Sequence, residues 1–79
     1  MFSFTNTVAE LKGEIKKYEK DIEIIKANIA LDEILNKFNS METERNKWRI
    51  RKELYENMIK KFELEIEYLN KCLEYKKYQ

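Results

Sequence analysis

Five cations fall within eight residues of this chain, Arg45, Lys47, Arg49, Arg51 and Lys52, and Trp48 stands among them. On a helix, Arg45, Arg49 and Lys52 share one face with the indole between them. Planar guanidinium groups contact phosphate oxygens in pairs and an indole stacks on bases, so the segment has the chemistry to bind nucleic acid. It also has a plainer role. Cations at a helix start oppose the helix dipole, yet Asp32, Glu42, Glu44 and Glu53 can neutralise them while the cations' aliphatic stems cover apolar surface. We prefer the plainer role and keep RNA or DNA binding through Arg45, Lys47, Trp48, Arg49, Arg51 and Lys52 as the alternative.

Other reactive groups are sparse. Glu63, Glu65 and Glu67, and the pairs Glu10/Glu14 and Glu19/Glu23, gather carboxylates, but di-iron bundles also need Glu-x-x-His motifs and this chain has no histidine. A lone cysteine, Cys72, completes neither a disulfide nor a structural metal site. Ser3 and Ser40 have no imidazole to activate them. The expectation is therefore no catalytic residue, no metal, no cofactor and no enzyme activity. Leu31-Asp32-x-Ile34-Leu35-x-x-Phe38 resembles the Leu-Asp signature of the small helical aspartyl-phosphate phosphatases of sporulating bacteria. It departs from that pattern where the chemistry would lie: Asn28-Ile29 replaces the Ser-Gln pair, and the segment falls on the first helix instead of the second. An amphipathic stripe explains it.

Composition says what holds such residues in place. Charged residues make up 39% of 79 positions, 16 basic against 15 acidic, with one glycine and no proline, which is the make-up of long helices. A net charge of +1 provides no global attraction to nucleic acid or membrane. The longest uncharged stretch, Met1 to Ala9, is too short to span a bilayer and lacks a secretory pattern, so a cytoplasmic protein is expected, in the host cytoplasm if viral. Lys, Asn, Ile and Tyr fill 34 of 79 positions, as AT-rich genomes tend to write, and small chains of this kind are common in viruses and mobile elements. At this length a single core yields only about 3–5 kcal/mol, so self-association is expected to supplement it.

Thr7-Val8-Ala9-Glu10 reads as a capping box opening the first helix. Val8, Leu11, Ile15, Tyr18, Ile22, Ile25 and Ile29 then recur at alternating spacings of three and four, a heptad seam. Asn39 or Ser40 can cap a fresh start carrying Glu42. A second seam follows at Met41, Trp48, Tyr55, Ile59, Phe62, Ile66, Leu69 and Leu73, with Arg45 and Lys52 in its gaps. The spacing predicts an N-terminal arm over 1–6, a helix over 7–38, a turn over 39–41 and a helix over 42–77, forming one domain. In an antiparallel pair, facing residues have nearly constant summed positions. Val8 with Leu73, Leu11 with Leu69, Ile15 with Ile66, Tyr18 with Phe62, Ile22 with Ile59 and Ile25 with Tyr55 give sums alternating between 81 and 80. The midpoint is residue 40, where the capping signals put the turn. The predicted fold is all-α, an antiparallel two-helix hairpin of coiled-coil type. The rival is a continuous rod dimerising in parallel.

Toward the turn this register pairs Ile29 with Lys52, Asp32 with Trp48 and Asn36 with Arg45, so the seam turns polar. A second apolar stripe, Ile24, Ala27, Leu31, Ile34, Leu35 and Phe38, begins about 100° away, since Ile24 adjoins Ile25. Leu54 and Met58 widen the apolar side of the second helix. A hairpin cannot cover these eight residues alone, and exposed apolar patches mark interfaces. The expected cover is a second copy, giving a homodimeric four-helix bundle, with a heterologous protein as the other candidate. Acidic residues on both polar faces argue against membrane binding. Cys72 should pack as a small hydrophobe beside Leu69 and Leu73. Phe2 and Phe4 in the arm could fold over the bundle end, and Tyr75 and Tyr78 should fray. The function expected is a non-enzymatic interaction module of adaptor or inhibitor type.

Overall fold

The computed structural model describes residues 6–38 and 41–77. The expectations for Phe2, Phe4, Asn39, Ser40 and Tyr78 fall outside that range. Two helices, α1 (Val8–Lys37) and α2 (Glu42–Lys77), pack against each other as an antiparallel hairpin. Thr7 is the N-cap of α1: the Glu10 N–H donates to Thr7 Oγ1 at 3.2 Å, and the Thr7 N–H donates to Glu10 Oε1 at 3.1 Å. Those two bonds satisfy donors that a bare helix start leaves open. α1 ends at Phe38, whose N–H donates to the Leu35 carbonyl at 3.2 Å. Met41 is non-helical, and its carbonyl accepts the Arg45 N–H at 3.1 Å, the first turn of α2.

Cross-helix contacts match the predicted register. The rings of Tyr18 and Phe62 lie 5.4 Å apart, and Leu11 and Leu69 are sealed together with Cys72, flanked by Ile15, Tyr18 and Leu73. This is the tightest part of the molecule, and it lies at the end away from the turn. Ile22 and Ile25 are buried farther along α1. Two seam assignments fail at helix ends. Val8 is 44% exposed, since as the first residue of α1 it has no preceding turn to shield it. Met41 is 61% exposed, because it precedes the first helical residue of α2 and the heptad spacing does not fix its direction.

The hairpin is long and thin, 59 × 16 × 15 Å, with a radius of gyration of 17.3 Å. A compact chain of this length would have about 12 Å. Two helices in one layer have only one mutual face to hide, so most side chains are left at the surface.

Candidate functional surface

The polar half of the hairpin carries ion pairs built from the cation-rich start of α2, two of them between the helices. Arg51 Nε lies 3.0 Å from Asp32 Oδ2, Lys52 Nζ 3.4 Å from Glu33 Oε1, and Lys47 Nζ 3.4 Å from Glu44 Oε1. Lys52 also sits over the Trp48 ring, 5.2 Å from its centroid, and Trp48 itself is half-buried on the seam. Two of the four acids named from sequence, Asp32 and Glu44, are partners here; Glu33 is a third that the pattern did not single out. Ile29, Asp32, Trp48 and Lys52 are all half-buried, and the two cross-helix ion pairs form because a long cationic side chain reaches one turn past its seam neighbour. Three of the five cations are thus committed to carboxylates within the hairpin. Asn36 keeps its seam position, and its Oδ1 is buried with no hydrogen-bond partner among the described residues.

The apolar stripe is the other feature near the turn. Ile24, Ala27, Leu31, Ile34 and Leu35 on α1 and Phe38 at its C-cap are all exposed, as are Leu54 and Met58 on α2. Leu31 is 55% open and Phe38 85%. Ile50, 62% exposed, adds a residue that the sequence reading missed. Its signal was present, since it lies four residues before Leu54 and eight before Met58, but it was obscured by the surrounding cations. Leu64, Tyr68 and Tyr75 extend exposed apolar surface along α2 toward the open end.

At the open half a groove of about 870 Å³ is lined by Glu14, Tyr18, Lys61, Leu64, Glu65 and Tyr68, among others. Burial pushes the Tyr18 hydroxyl above its usual range, and the nearby Glu65, Glu14 and Asp21 carboxylates push it further. Tyr68 is likewise raised, by desolvation first and then by a side-chain hydrogen bond with Cys72. The groove is open and its charges are mixed, and it brings no nucleophile against a base. Glu10 is held below its ordinary range by the backbone and then the side-chain hydrogen bond from Thr7. Among the described residues no group of three or more His, Cys, Asp or Glu could hold a metal ion. No helix there is long and apolar enough to cross a membrane. Compared with protein-family models, with curated proteins and with solved structures, the chain matches none.

Proposed function

We propose that the chain is a small non-enzymatic protein–protein interaction module of adaptor or inhibitor type, acting as a homodimer in which two hairpins close a four-helix bundle. The observation that carries this reading is the apolar stripe of α1 and α2, which the hairpin leaves in water. Its scale supports the same reading. The chain exposes 6534 Å² at a mass of 9.7 kDa. A self-sufficient folded monomer of that mass exposes about 5,100 Å². The excess is larger than the roughly 800 Å² per partner that a standard interface removes. A lone, buried thiol suits a reducing compartment such as the cytoplasm.

Light scattering coupled to size exclusion tests the proposal. The native chain should run at twice 9.7 kDa, and Leu31→Asp with Ile34→Asp should run as a single chain. A native mass of one chain at every concentration would overturn the reading, as would a dimer indifferent to both substitutions.

A further inference from the structure

We infer that the α1 stripe is its own complement: two copies pack α1 on α1 in opposite directions about a two-fold axis at Leu31, with the open ends pointing away from each other. This rests on the dimer proposed above and specifies its geometry. A two-fold interface places one patch on itself, so a residue on the axis meets its own copy. Centred on Leu31, the stripe pairs Ile24 with Phe38 and Ala27 with Ile34, and the summed positions alternate between 62 and 61. That is the same one-step alternation seen along the intrachain seam. The stripe ends sharply at Ile24, because one and two turns earlier come Lys20 and Lys17. Sliding the pair by a heptad would set Lys17 against Phe38 and Lys20 against Leu35. Sliding it the other way pairs Leu31 with Phe38 and Ile34 with Leu35 but carries Ile24 and Ala27 past the end of the partner's α1, so the register at Leu31 is the one that matches the whole stripe apolar to apolar.

The other two-fold arrangements fail on the same surface. With the turns together and α1 on α1, Lys17 and Lys20, which continue the stripe beyond Ile24, would meet their own copies; the other way to bring the turns together lays α1 of one copy along α2 of the other at equal height. In that second case Ile34 and Phe38 would face Asn46 and Glu42. With the copies antiparallel but centred on the hairpin's middle, the carboxylates around Tyr18, Glu14, Asp21 and Glu65, would lie against the stripe and lose their water. At Leu31 the overlap is confined to the half nearest the turn. There Lys47, Arg51 and Lys52 are already balanced by Glu44, Asp32 and Glu33.

Two measurements on a Cys72→Ala background test the geometry, with helix content checked by circular dichroism and Cys72→Val as a second background should the first unfold. Leu31→Cys should form a self-disulfide under mild oxidation, while Ile24→Cys alone should not. Spin labels on Asn70→Cys, outside the stripe, should report a separation of about 60 Å, from 1.5 Å of rise per residue on either side of the axis. Label separations of about 20 Å, for turns together, or about 35–40 Å, for a midpoint-centred pair, would overturn the inference while leaving the dimer intact. Failure of Leu31→Cys to cross-link in a chain that light scattering shows to be dimeric would also overturn it. A native mass of one chain defeats instead the proposal on which it rests.

Discussion

The Tyr18 ring stands 5.4 Å from that of Phe62, tilted by 33°, across the middle of the helix interface. Offset, tilted pairs of this kind let the edge of one ring approach the face of the other, which adds to the apolar area they hide. The contact also fixes the hairpin's register, since a slide of one heptad would separate the rings by two helical turns.

A double-mutant cycle on Tyr18→Ala and Phe62→Ala should therefore show coupling. Chemical denaturation of the four proteins is expected to give an interaction energy of about 0.5–1.5 kcal/mol. Strict additivity would mean that the rings do not meet in solution.

Leu69 and Leu31 share a side chain but not a fate. Leu69 is 1% exposed against Leu11 and Cys72, so Leu69→Ala should cost about 2–5 kcal/mol in thermal or urea unfolding. Leu31 is 55% exposed in the single hairpin, so Leu31→Ala should change the unfolding of a dilute, dissociated sample by less than about 0.5 kcal/mol. Equal costs under dilute conditions would show that the open end is not the core.

Acid should loosen the start of α1. Glu10 has a lower proton affinity folded than unfolded, so its contribution is present above its ordinary value of 4.5 and is lost as pH falls through the folded value. Thermal unfolding of Glu10→Gln should accordingly depend less on pH below about 4.5 than that of the native chain. Thr7→Ala should cost about 1 kcal/mol near neutrality through loss of the cap. It should also return the Glu10 carboxyl toward its ordinary value in an NMR titration.

Alkali should act at the other end of the scale. Tyr18 keeps its proton more firmly folded than unfolded, chiefly through burial. The stability linked to it is thus complete below its ordinary pKa of about 10 and disappears as pH rises through the folded value. Helix content followed at 222 nm should fall more gradually above about pH 10 in Tyr18→Phe than in the native chain. Identical curves would exclude the linkage.

Much of this molecule was readable in its residues because long helices obey simple periods. The Thr7/Glu10 box, the seam from Leu11 to Ile25 and the partnership of Tyr18 with Phe62 all depend on local spacing plus one register, and the structure holds each of them. The exposed stripe was legible for a related reason: one seam cannot face two ways. What spacing could not foresee was the reach of long side chains. Lys52 reaches Glu33, one turn past Ile29, and Arg51 reaches across to Asp32. Helix ends were also poorly constrained, as at Val8 and Met41, where a heptad has no neighbour on one side. Ile50 was hidden because its charged neighbours drew the segment toward a different chemistry.

Leu11 meets Leu69 and Cys72 although Leu11 and Leu69 stand 58 positions apart in sequence, as far from the turn as the packed seam allows. The firmest grip thus belongs to the far ends of the two helices, and joining them in one chain raises the local concentration of one helix for the other. The two helices as separate peptides would carry matched halves of the lock, suited to fragment complementation, in which mixing the halves restores the whole.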